Sequence, residues 1–224
     1  MSQIELIKAT PYDADIFGIS TWELLEYSPA SLKQAILTRG HHSVKVDPLT
    51  DKRLLHDYGF YYCDTLIIPS CKMNNFRAVR NPDTTILKLV DEEHMVKTFH
   101  GLFIHGRFHR DFNLNKKAAD ERYDNWLKQL IVAQQVYGLY WQGDLAGFIG
   151  HDEGNLVLHA LVPEYRGKGL SKYWWSEVSL TLFENGIDEI KSSISATNLA
   201  ALNLYSSLGF SFKSAQDVYH RVVL

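Results

Sequence analysis

Apolar positions along the chain recur with two periods, and the two predict different elements. Between residues 117 and 132, Tyr123, Trp126, Leu127, Leu130 and Ile131 return at helical spacing and leave one apolar face. That face predicts a helix packed on a core. Residues 136–141 and 145–150 are apolar runs around Gln142-Gly143-Asp144, which predicts a hairpin. A third run, residues 156–163, leads into Arg166-Gly167-Lys168-Gly169-Leu170-Ser171 and then into an amphipathic segment, residues 173–185. A strand over 189–195 and a helix beginning near Leu199 follow, with Gly186 and Gly209 standing where helices end on glycine.

Upstream, the pattern predicts a helix over 31–38, a strand over 42–46, a helix over 51–58 closed by Gly59, and a strand over 61–68. A strand over 84–89 and a helix over 91–101 come next. The stretch 70–83 carries Asn74-Asn75 and Asn81-Pro82-Asp83 and has the composition of a connector. It places a boundary near residue 80, giving an N-terminal α/β region, residues 1–80, and a larger C-terminal domain, residues 81–224. Strands and helices that alternate with hairpins argue a mixed α/β sheet.

Composition narrows the functional classes. The 224 residues are 46% hydrophobic, enough for one substantial core or two modest ones. A formal charge of −3 gives no basic excess, which disfavours a nucleic-acid partner. Cys63 and Cys71 have no metal-type spacing, so neither a disulfide framework nor a metal site is expected. No apolar run approaches the roughly 20 residues of a membrane span, and the first eight residues lack a signal-peptide pattern, so the expected location is cytoplasmic, without membrane contact.

The chemistry concentrates at the glycine turn. A strand, a turn at Gly167 and Gly169, and a helix start bring several main-chain N–H groups onto one anion, and a diphosphate fits such a place. The spacing is neither that of a Walker loop nor that of a dinucleotide fingerprint.

Arg166-x-x-Gly169-x-Ser171 after a strand, followed by Asn198-x-x-Ala201-x-x-Leu204-Tyr205-x-x-x-Gly209-Phe210, resembles the GNAT superfamily of acyl-CoA-dependent N-acyltransferases. Ser171 departs from the family's usual Gly or Ala. Asp15-Ile16-Phe17-Gly18, Tyr58-Gly59-Phe60, Gly106-Arg107-Phe108-His109, Ala119-Asp120 and Tyr123-x-x-Trp126 are similar to the dTDP-fucosamine acetyltransferase group. The resemblance implies a GNAT fold with a mixed central sheet, preceded by a smaller, truncated GNAT-like region that contributes to the acceptor site.

It also implies roles. Main-chain groups from Arg166, Gly167, Lys168, Gly169, Leu170 and Ser171 would hold the cofactor pyrophosphate, and Ala160, Leu161 and Val162 would pair with pantetheine. A main-chain N–H near Leu161 would polarise the thioester carbonyl. Asn198 reads equally as a helix N-cap or a cofactor contact. Tyr205 reads as the general acid for the departing thiolate, or as a core tyrosine beside Leu208 and Phe210. Asp64 stands where the resembling group has a glutamate and reads as a base acting through water, or as a solvated carboxylate. Arg107 and His109 suit a nucleotide diphosphate or sugar, or are a solvated loop, and His159 reads first as a hydrogen-bonded core histidine.

The expected reaction is transfer of acetyl from acetyl-CoA to the amine of a nucleotide-linked amino-dideoxy sugar, in a ternary complex and without a metal, for surface polysaccharide synthesis. A peptide or polyamine acceptor, and a non-catalytic acyl-CoA-binding module, are the alternatives. If the chain assembles, a homodimer is the expected form.

Overall fold

The computed structural model describes residues 5–88 and 90–224. Leu89, the expected end of one strand, and residues 1–4, read above for a leader, lie outside the described residues. The elements begin with β1 (Ile7–Ala9), α1 (Pro11–Phe17), β2 (Thr21–Leu24), α2 (Pro29–Leu37), β3 (Gly40–Val46), α3 (Arg53–Asp57) and β4 (Tyr61–Lys72). They continue with β5 (Thr84–Leu87), α4 (Glu92–Phe99), α5 (Arg107–Arg110), α6 (Lys116–Val132), β6 (Val136–Trp141), β7 (Asp144–Asp152) and β8 (Asn155–Leu161). The last are α7 (Ser171–Glu184), β9 (Glu189–Ser192), β10 (Ile194–Ser195), α8 (Leu199–Ser207) and β11 (Ser211–Val223). None of the described helices is long and apolar enough to cross a membrane.

The chain forms two compact units, and they interleave in sequence. The first takes the chain up to Leu66, then Ile104–Arg122 and Ala215–Leu224; the second takes Ile67–Phe103 and Tyr123–Ser214. A single cut near residue 80 does not describe this division. β4 runs without a break through the point where one unit gives way to the next, and its Ser70–Lys72 pair with β9. Only the stretch after Lys72 has the connector's turn character.

In the first unit β1 and β2 are antiparallel, β2 and β3 parallel, and β3 pairs antiparallel with β11 from Gly40↔Val223 to Val46↔Asp217. Ile7, Leu24, Leu32, Ala35, Val44, Val46, Leu55 and Phe60 form its core. α2 starts two residues before its expected position because Ser28 caps it: Ser28 Oγ accepts from the Ser31 N–H, Ser31 Oγ accepts from the Ser28 N–H, and Pro29 takes the first turn, where its missing N–H costs nothing. Gly40 is required at the head of β3, since at φ +130° an added Cβ would stand 2.2 Å from the Ser20 carbonyl oxygen.

The second unit has the strand order β4–β9–β8–β7–β6–β5, with β10 on β4. Successive residues of a strand face opposite sides of the sheet, and both sides are covered here. Ile149 packs with Trp174, Trp175, Val178 and Leu182 of α7, whereas its neighbour Phe148 packs with Met95 and Phe99 of α4 and Leu127 and Leu130 of α6. The apolar stripe of α6 is therefore a core face. The strand expected over 189–195 is two: β9 ends at Ser192, whose Oγ donates to the Leu156 carbonyl at 2.7 Å, and β10 turns to β4.

Candidate functional site

The feature that organises the second unit is a half-open strand. β8 pairs with β7 from Asn155 to Leu161, but its described pairing with β9 is confined to Asn155↔Lys191 and Leu156↔Ser192. Beyond Leu156 the two parallel strands separate, and the edge of β8 that faces away from β7 runs unpaired. The Val162 N–H donates to the Ala146 carbonyl at 3.0 Å, so by alternation the N–H groups of Ala160 and Val162 face β7 and those of His159 and Leu161 face the open edge. Of the three residues expected to pair with a ligand here, Leu161 alone presents its main chain, and His159 joins it. Arg166 folds back so that its Nε donates to the Leu161 carbonyl at 2.8 Å.

β8 leads directly into the glycine turn. Gly167 and Gly169 have φ of +71° and +70°, and an added Cβ at either would meet nothing within 4 Å. Glycine is needed there for its left-handed conformation rather than for room in the protein. α7 starts at Ser171, and the residue before it, Leu170, has no side-chain acceptor to cap the helix. The first N–H groups of a 14-residue helix are thereby left for a ligand, with the positive end of its dipole behind them. Lys168 holds its ammonium 5.7 Å from the centre of the Tyr165 ring, at the rim of the turn. Gly169→Ala is expected to weaken acetyl-CoA binding about tenfold, because an alanine at φ +70° costs about 1–2 kcal/mol. Isothermal titration against the parent chain measures it.

Asn198 is the N-cap of α8: its Oδ1 accepts from the Ala201 N–H at 3.2 Å. Tyr205, two turns on, is fully enclosed at 0% exposure and packs edge-on against Phe210, 4.8 Å between ring centres. Its hydroxyl lies 3.4 Å from Nε2 of His159. Burial pushes the Tyr205 phenol up to about 12, against smaller opposing effects of Ser192 and Trp175. Burial likewise lowers His159 to about 4, so its imidazole is neutral at pH 7. The turn, the open edge and this tyrosine all belong to the second unit.

The acetyltransferase (GNAT) domain family matches residues 113–222. This chain carries a GNAT acetyltransferase domain. A curated relative, mycothiol acetyltransferase of Renibacterium salmoninarum, is 33% identical over 86 residues, which are 38% of this chain and 25% of that protein. The chain thus matches only about a quarter of that relative's length. Among solved structures, a GCN5-related N-acetyltransferase from Sphaerobacter thermophilus superposes with a TM-score of 0.67 at 11% identity, covering 96% of this chain and 76% of its own. A GNAT-family acetyltransferase from Colwellia psychrerythraea gives 0.57 at 15% identity, with 89% and 77% covered. These two likenesses place the fold, a mixed α/β GNAT sheet, across nearly the whole chain.

The remaining predicted residues fall in the first unit, apart from the GNAT turn and edge. Asp64 on β4 is buried at 1% exposure, where its Oδ1 accepts from Arg110 at 2.7 Å and from the Thr65 N–H at 2.8 Å. A carboxylate so engaged is not a solvated one, the alternative that the sequence offered to a base acting through water. His109 is half-buried with its Nε2 2.8 Å from Asp120 Oδ1, and Arg107 lies with its guanidinium carbon 4.7 Å from the Phe108 ring centre. Both are packed into the unit's own structure rather than held out as a solvated loop. Cys63 and Cys71 are buried free thiols.

Sequence reading missed one buried cluster. Asp111 Oδ2 lies 3.1 Å from His41 Nε2 and 2.8 Å from His220 Nδ1, and Tyr61 donates to the same carboxylate at 3.0 Å. Among the described residues these two imidazoles and the carboxylate are the one group with donor atoms close enough to share a metal ion. As they stand, the contacts form a hydrogen-bond network around a buried anion. The residues are 70 and 109 positions apart in the chain, so no local signal marks them.

Proposed function

We propose that the chain transfers an acetyl group from acetyl-CoA to the amine of a nucleotide-linked amino-dideoxy sugar of the 4-amino-4,6-dideoxyhexose type, by direct attack in a ternary complex. The observation that carries the cofactor is the open edge of β8 running into a turn of two left-handed glycines and an uncapped helix start. Pantetheine is an extended chain with amide groups, and the edge of β8 that carries the His159 and Leu161 N–H groups offers it main-chain pairing in the manner of an added strand. The pyrophosphate then falls at the turn, where N–H groups of residues 167–171 and the start of α7 converge. With the thioester beside Leu161, an N–H on that edge lies where the carbonyl oxygen gains charge. Tyr205 supplies the proton for the sulfur.

The sugar acceptor rests on the likeness of the Gly106–His109 and Asp15–Gly18 segments to the dTDP-fucosamine acetyltransferase group. Release of CoA from acetyl-CoA, measured against TDP- and UDP-linked 4-amino-4,6-dideoxy sugars, polyamines and peptides, tests it. Turnover confined to a nucleotide sugar supports the reading. Turnover only with polyamines or peptides overturns the acceptor, and acetyl-CoA binding without turnover on any amine replaces the enzyme by a binding module.

A further inference from the structure

The buried cluster of the first unit has the donor atoms and the spacing of a cation site. His41 and His220 lie on paired antiparallel strands, with Val222 opposite His41 and Ser43 opposite His220, so alternation puts both imidazoles on one face as diagonal neighbours. Their rings meet edge-on, 4.5 Å between centres. Asp111, the residue after α5, closes the group. Its Oδ1 accepts from the Asn113 N–H at 2.8 Å and from the Tyr61 hydroxyl at 3.0 Å, and that hydroxyl is also 3.1 Å from Oδ2. Oδ2 faces His41 Nε2 at 3.1 Å and His220 Nδ1 at 2.8 Å. One carboxylate is thus fixed by donors on one side and turned toward two ring nitrogens on the other.

We propose that His41 Nε2, His220 Nδ1 and Asp111 Oδ2 bind one divalent first-row transition cation of the zinc class, as a structural ion of the first unit. Two imidazole nitrogens and a carboxylate oxygen are a donor set such ions accept. The three atoms lie within 4.8 Å of one another. Around a tetrahedral zinc with bonds of roughly 2.0–2.1 Å, donor atoms stand about 3.3 Å apart, so an ion enters by opening each contact to Oδ2 by about half an ångström or less. Ligation takes the two nitrogens without their hydrogens, which then sit on the other nitrogen of each ring. The bonds from Tyr61 and Asn113 orient the carboxylate, as the partners of a ligating group do. Enclosure makes the ion structural, because Asp111 and His220 are at 0% exposure and His41 at 2%, and such an ion is taken up as the chain folds. It ties β3, the end of α5 and β11 together, and the inference does not rest on the acetyl-transfer reading.

The test is to express the untagged chain in defined medium with added Zn2+ or Co2+, pass it through gel filtration in chelator, and measure bound metal by mass spectrometry. About one equivalent per chain is expected, with the intense visible bands of four-coordinate cobalt in the Co2+ protein. The loaded chain is expected to melt roughly 5–10 °C above chain made without the metal. His41→Gln and Asp111→Asn keep the size and hydrogen bonding of the cluster, and each is expected to retain about tenfold less metal or lower. His94→Gln, on the exposed face of α4, is expected to retain it all. A parent chain with only traces of metal and no cobalt bands overturns the site without any variant. Full retention by the folded His41→Gln and Asp111→Asn proteins puts the ion elsewhere and overturns it too, and a bound ion that leaves melting unchanged overturns the structural role.

Discussion

Replacing Asp111 by alanine is expected to cost the first unit about 3–5 kcal/mol, the usual size of the loss when one partner of a buried charged network is removed. Asp111 and His220 are at 0% exposure and His41 at 2%, so the two imidazoles and the carboxylate have no water to turn to. Urea unfolding followed by near-ultraviolet circular dichroism measures the loss, and a change below about 1 kcal/mol would show that the network is dispensable. The same cluster sets a pH dependence. Burial pushes the Asp111 carboxyl up, but hydrogen bonds from His220, His41 and the Asn113 N–H together outweigh it and hold the group well below the usual carboxylate range. Its contribution is present above the unfolded value near 4 and is lost as pH falls below it. His220 is lowered by burial to about 4, so the unfolded chain takes up a proton that the folded one refuses as pH falls from about 6.5 to 4. His159 adds the same demand in the second unit. Stability is therefore expected to fall first between pH 6.5 and 4, by about 3 kcal/mol for each histidine, and then again below 4. Melting temperatures across that range check the sign, and His220→Gln is expected to flatten the upper step.

Tyr205→Phe is expected to lower kcat about 100- to 1,000-fold while leaving acetyl-CoA affinity and stability nearly unchanged. The phenylalanine ring keeps the edge-on contact with Phe210 and fills the same enclosed volume. What it removes is the hydroxyl, which lies 3.4 Å from Nε2 of His159. Because burial holds the phenol up to about 12, the parent keeps its proton throughout pH 6 to 9, and its rate profile should show no limb from tyrosine ionisation in that range. Steady-state kinetics with a thiol reagent for released CoA, beside titration calorimetry with acetyl-CoA, separates loss of chemistry from loss of binding. An equal fall in affinity would make Tyr205 a packing residue.

Local physics made much of the second unit legible. The stripe of α6, the hairpin of β6 and β7, the glycine turn and the Asn198 cap are each decided by neighbours within a few residues, and sequence periodicity reports such neighbours well. β11 escaped because its strand-forming partner is remote: Ser211, Lys213, Ser214, Gln216 and Asp217 read as polar, and only Val218–His220 are buried. α1 escaped because it buries no residue. The site divides in the same way. The phosphate turn lies in consecutive residues, whereas the contact between Tyr205 and His159 spans 46 positions and depends on how α8 meets β8. A histidine at position 159 invited the reading of a core residue because nothing in its own strand shows which side chain stands across from it.

β3 finds its antiparallel neighbour in residues 217–223, more than 170 positions downstream. During synthesis on the ribosome, the first unit must therefore wait with an unfilled strand position while the whole second unit is made and emerges. Until Asp217–Val223 arrive, β3 offers a bare edge that other chains can pair with, so crowding in the cell and truncation from the C-terminal side both favour aggregation over folding.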